Sequence, residues 1–193
     1  MKRMVSIAAI SLIFLVPLWS EPFSVDLSMY EGKEEVEIEF TESLSDGTEI
    51  DSTVRIYRAR EQGRECVISE TESKVLYVKS CVDLEHGTPV YTRIVERAYD
   101  EAEVMITYGS DEVTVEYKED GKTRTDTLEN DRVLDGYVLS FLFSALPYEE
   151  LQGEKMEFQF LNYKKPSLIN VSLTVEDTNA RYKLDGRVVE AVK

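Results

Sequence analysis

Apolar and polar residues alternate with a period of two through most of this chain, the pattern of strands with one buried and one wet face. Phe23, Val25, Leu27 and Met29 share a face, separated by Ser24, Asp26 and Ser28. Val36, Ile38 and Phe40 repeat this against Glu35, Glu37 and Glu39. Val54 and Ile56 follow, then Val104, Ile106 and Tyr108, then Val113, Val115 and Tyr117. Met156, Phe158 and Phe160 alternate in turn, as do Val171, Leu173 and Val175, and Tyr182 with Leu184 comes last. Acids outside and apolar groups inside predict an antiparallel sheet with one solvated side. Asp120-Gly121, Gly109-Ser110-Asp111 and Asp185-Gly186 mark turns between these runs, the Asp-Gly pairs suiting tight hairpins. Lys122 to Thr127 carries hardly an apolar group, which predicts an exposed edge or projecting hairpin guarded by charge.

One segment breaks the rhythm. Leu134, Val138, Phe141, Leu142 and Ala145, with Tyr137 beside them, recur at spacings of three and four, as on one face of a helix. The expected helix covers about 131–146, capped by Asn130 or Asp131 and stopped by Pro147. These pieces predict a mainly β fold: a strongly curved antiparallel sheet or half-barrel closed by that one main helix.

The beginning of the chain changes the picture of where it works. Lys2 and Arg3 precede an apolar run from Met4 to Trp19, and Ser20 then leads into acidic sequence. That order reads as a signal peptide over residues 1–20, with a single β-rich domain over 21–193. The run is short for a membrane span and Pro17 interrupts it. The protein is therefore expected to be periplasmic or secreted, and soluble once the signal is removed. Loss of Lys2 and Arg3 takes the formal net charge from −16 to −18. Such a chain repels nucleic-acid backbones and anionic headgroups, which excludes nucleic acid as a partner. In an oxidising compartment Cys66 and Cys81 gain a role. A hairpin turn near Ser73 and Lys74 puts them opposite or nearly opposite each other, within reach of a disulfide.

Chemistry is scarce. The only histidine, His86, lies in a turn-like link, Leu84 to Pro89. No Gly-x-Ser-x-Gly elbow, His-Glu-x-x-His pair or phosphate-cradling glycine loop is present, so the usual signals of catalysis are missing. No catalytic residue, metal ligand or cofactor is assigned. Asp111, Glu112, Asp120, Asp126, Glu129 and Asp131 are oxygen donors without the spacing of a calcium loop. The eleven tyrosines are spread over the chain rather than gathered into a sugar platform.

Two stretches carry a resemblance. Cys81 to Arg97, CVDLEHGTPVYTRIVER, resembles a strand end, a proline link and a new strand opening with tyrosine and arginine. Asn130 to Gly153, NDRVLDGYVLSFLFSALPYEELQG, resembles the helix-and-link segment of the same group. That group is a family of uncharacterised exported bacterial proteins of unknown function, related in fold to the LolA/LolB-type lipoprotein carriers. The resemblance implies a half-barrel closed on its hollow side by helical segments, in which the carriers hold acyl chains. Ser144-Ala145 stand where the family often has an arginine, and Lys193 comes soon after Val188, Val189 and Val192. The implied barrel is thus more open here, or lacks C-terminal strands.

The function expected is that of a non-catalytic envelope protein binding an apolar ligand, a lipid or acyl chain, between sheet and helix. Leu134, Tyr137, Val138, Phe141 and Leu142 on the helix, with Met156, Phe158 and Phe160 on the returning strand, are the candidate ligand-binding residues. A lipid or lipoprotein ligand and an envelope-protein partner are the partners this reading implies. The alternative is a structural or protein-interaction module with a filled core; a hydrolase or sugar-binding protein ranks behind both.

Overall fold

Each alternating run within the described residues becomes a strand paired to its neighbour in sequence. The computed structural model describes residues 35–43, 46–98, 102–178, 180–184 and 187–191. Eight strands form one antiparallel sheet in chain order: β1 (Glu35–Ser43), β2 (Glu49–Glu61), β3 (Arg64–Ser73), β4 (Leu76–Asp83), β5 (Pro89–Glu96), β6 (Ala102–Tyr108), β7 (Glu112–Glu119) and β8 (Lys122–Glu129). The tight connections use backbone that favours glycine. Asp120 and Gly121 sit at φ 50° and 70° between β7 and β8, and Gln62 and Gly63 at 50° and 81° between β2 and β3. Two successive left-handed residues give the turn twist that matches paired strands.

A second layer covers part of one face. It comprises β9 (Val133–Leu134), α1 (Gly136–Ser144), β10 (Lys155–Asn162) and β11 (Ser167–Thr174), with strand order β11-β10-β9. β9 runs parallel to β10 through Val133↔Gln159 and Leu134↔Phe160. A separate hairpin, β12 (Ala180–Leu184) with β13 (Arg187–Ala191), follows. Two clusters join the layers. Val67 and Val82 of the sheet pack with Leu134, Val138, Leu142 and Phe158. Ile94, Val104, Ile106, Val113 and Val115 pack with Val133 and Leu161. We call this covered side the inner face.

The expected half-barrel does not form. β1 and β8 are the two ends of the strand order and do not pair, so the sheet is open; it is not strongly curved, and no helix closes it. Sheets bend where an extra residue interrupts the ladder, and among the described pairings of this sheet the register shifts at one place, Cys81/Val82. The resemblance to the LolA/LolB-type carriers rests on a closed half-barrel and falls with it.

The helix is also shorter than expected, nine residues rather than about 131–146. Arg132 sits at φ 56°, in the left-handed region, which stops any helix from running through it. Asn130 serves the loop instead of a helix: its Nδ2 donates to the Gly109 carbonyl at 2.6 Å and its Oδ1 accepts from Val133 N at 3.1 Å. The true N-cap is Asp135, whose carboxylate accepts from the N–H groups of Tyr137 and Val138. The expected signal peptide, the alternating run Phe23 to Met29 and the Asp185-Gly186 turn lie outside the described residues.

Candidate functional site

The second layer leaves β1 and neighbouring parts of β2–β4 uncovered on the inner face, and a groove of about 620 Å³ lies there beside α1. Its walls follow from the pairing register. The row Val36↔Ile56 continues through Ser69 to Ser80, and the row Ile38↔Val54 continues through Thr71 to Val78. Phe40↔Ser52 continues to Ser73, and Glu42↔Ile50 closes the end. Tyr137 and Ser140 of α1 supply the facing wall. β1, β2 and β4 therefore bring mainly apolar groups, whereas the groove-lining positions of β3 are all hydroxyls: Ser69, Thr71 and Ser73. Ile38 and Phe40 remain 49% and 44% exposed, because nothing in the second layer reaches them.

A buried polar chain leads inward from the groove. Ser80 Oγ lies 3.2 Å from Thr92 Oγ1, which donates to Asp135 Oδ2 at 2.7 Å. Thr92 has one hydroxyl proton and gives it to the carboxylate, so Ser80 is the donor to Thr92. What Ser80 offers the groove is then an acceptor. Tyr108 also donates to Asp135 Oδ2, at 2.5 Å, and accepts from Asp135 N at 3.2 Å. Burial pushes the Tyr108 hydroxyl well above its ordinary value, and the Asp135 charge pushes it the same way. Tyr108 therefore stays a hydroxyl donor at neutral pH, and its bonds to Asp135 position α1 against the sheet.

The candidate residues named from sequence separate into wall and interior. Tyr137 lines the groove. Leu134, Val138, Leu142 and Phe158 sit together in the filled cluster between the layers. Met156 is buried in a neighbouring cluster with Leu146 and Val175. Phe160 lies on β10, its ring beside Gly136, and Phe141 belongs to α1. Glu42, Ser52, Ser69 and Thr71 were not singled out by the sequence. The signal for the last two was present: three successive inner positions of one strand that carry hydroxyls where its neighbours carry aliphatic groups.

On the outer face, Cys66 faces Asp83 and Cys81 faces Ile68, so the two cysteines are diagonal neighbours rather than opposite each other. Both are fully buried, packed with Ile68, Val90 and Tyr91. Burial pushes the Cys81 thiol far up, and Cys66 beside it adds to this, so it is a poor nucleophile. Around them Tyr57 and Tyr77 both donate to Glu70 Oε1, at 2.9 and 3.1 Å. Lys79 pairs with Glu61 at 2.9 Å. Burial and the Glu70 contact push the Tyr57 hydroxyl up to about 12.

Among the described residues, no three His, Cys, Asp or Glu side chains gather in a way that could hold a metal ion, and no helix is long and apolar enough to cross a membrane. Comparison with protein families, characterised proteins and solved structures returns no match. The sequence resemblance described above therefore gains no support from any of the three.

Proposed function

We propose that this is an exported, non-catalytic binding protein that holds an elongated apolar ligand in the groove between the sheet and α1. The observation that carries this reading is the uncovered inner face of β1–β4, where Ile38 and Phe40 stay half exposed beside Val36, Val54 and Ile56. Isolated exposed apolar residues are ordinary, but a lined recess of this size is the usual form of a small-molecule site. The basic start and apolar run of residues 1–20 support placing the protein outside the cytoplasm.

The test is uptake of a neutral, environment-sensitive dye such as N-phenyl-1-naphthylamine by the full chain. Binding should enhance its fluorescence, and Val54→Asp, which buries a charge in the wall, should weaken binding at least about tenfold. Unchanged circular dichroism would show that the variant still folds. The second reading, a scaffold with a filled core, draws on the packing of Leu134, Val138, Leu142 and Phe158. It expects no dye uptake, and that outcome would replace the binding reading.

A further inference from the structure

We propose that the ligand is an amphiphile with a cationic head, its head held at the Glu42–Ser52 end and its tail lying toward Val36 and Tyr137. This rests on the binding reading above and specifies the chemistry of what binds. The groove is electrostatically one-sided. Among the described residues, Glu42 is the only charged one lining it, and no Lys, Arg or His contributes to its walls. Glu42 is exposed and has no ion pair among the described residues. Two cations sit near this end but neither lines the groove: Lys74 holds its Nζ on the Glu49 carbonyl at 3.0 Å, and Arg97 is engaged with the Ser73 carbonyl and Glu72, both at 3.0 Å.

Ser52 adds a polar group beside this carboxylate. It is only 9% exposed and lines the groove one row in from Glu42, yet its hydroxyl has no partner among the described residues. That oxygen is not sealed from solvent, so it is open to a partner in the groove. Its neighbour Ser73 is already engaged, accepting from Val75 N and Leu76 N at 3.3 and 3.0 Å. An open hydroxyl therefore sits beside the Glu42 carboxylate, and together they offer acceptors to an ammonium group with several N–H donors. Beyond this corner the rows of Phe40, Ile38 and Val36 extend the apolar wall over about 14 Å, at ~3.4 Å per residue. That is room for a chain but not for a second charged group.

An anionic head meets the opposite situation. It finds no cation among the described residues that line the groove, it faces Glu42, and it approaches a chain of net charge −16. Like charges and lost solvation both oppose it. The field of the whole molecule steers cations toward it, but this part is screened by salt, whereas a contact with Glu42 is specific to one site.

The experiment is displacement of the bound dye from the full chain at pH 7.5 and constant ionic strength by three ligands of equal tail length: dodecylamine, dodecanol and dodecanoate, each below its micelle concentration. Dodecylamine should displace at least about tenfold more tightly than dodecanoate, with dodecanol between them. Glu42→Gln should remove most of that preference, while Glu119→Gln, an equal charge change on β7 away from the groove, should leave it intact. Ser52→Ala should weaken dodecylamine and dodecanol but not the dye. Equal displacement by all three would overturn this proposal and leave the binding reading standing. An equal effect of Glu119→Gln would reduce the preference to general surface charge and also overturn it. Failure of the dye itself to bind would end both readings.

Discussion

Asp135 accepts four hydrogen bonds while wholly buried: two from the N–H groups that open α1 and two from the hydroxyls of Thr92 and Tyr108 on the sheet. It caps a helix and fastens that helix to the sheet with the same carboxylate. Caps alone are worth about 1 kcal/mol, and hydrogen bonds to a charged group ~1.5–3 kcal/mol. Asp135→Ala should therefore destabilise the fold by about 3–5 kcal/mol in urea unfolding. Tyr108→Phe and Thr92→Val in the Asp135→Ala background should add less than they do singly, because they lose a partner already gone. Strict additivity would show that the network does not act as one unit. Sequence pointed to Asn130 or Asp131 for this role, because they are the first polar groups before the apolar spacing begins. Nothing in the local pattern announces that Arg132 turns left-handed, or that Val133 and Leu134 leave the helical run. Asp120-Gly121 was legible because its chemistry is complete within two residues.

At the scale of elements, strands were legible and their neighbours were not. The runs at Val36, Val54, Val104, Val113, Met156, Val171 and Tyr182 all fall in strands, since alternation is a direct record of a half-buried strand. β9 was hidden: two apolar residues fit a helical spacing as readily as a parallel pairing that depends on Gln159 and Phe160 far along the chain. The β3–β4 register was missed by a single turn position. Ser73 Oγ accepts from Val75 N and Leu76 N, which centres the turn on Lys74 and Val75 rather than Ser73 and Lys74. Moving a hairpin turn by one residue shifts every pair by two, and Cys66 and Cys81 become diagonal. Diagonal Cα atoms lie about 7–8 Å apart, at or beyond the usual reach of a disulfide. A Cys66–Cys81 bridge in the oxidised protein would thus be a labile one, closing about fifteen residues and adding at most ~3 kcal/mol. Non-reducing mass spectrometry should show a loss of two mass units, reversed by low concentrations of glutathione before global unfolding. Two free thiols after prolonged oxidation of the native protein would refute the bridge.

For the whole molecule, alternation cannot tell an open sheet from a closed one, because inner and outer positions alternate identically in both. Closure depends on which strands meet at the ends, and curvature on irregularities such as the single shift at Cys81/Val82. The groove was equally invisible: it arises where the second layer stops short of β1, a matter of coverage rather than of any one residue. The arrangement of β1–β8 also has a kinetic meaning. Every pair in that sheet joins sequence neighbours, so each step of its assembly closes only a short loop at small entropic cost. β9 can find β10 only after α1 and the link to Lys155 are in place, and it has just two paired residues to hold it. The order of events is then set by chain connectivity: the hairpins of the large sheet zip first, and residues 133–162 condense on it afterwards. Pulsed hydrogen exchange during refolding should protect the amides of β3–β7 before those of α1 and β10, and simultaneous protection would contradict this order. A nascent chain emerging from its amino end would meet its partners in that same sequence, each strand arriving beside one already made.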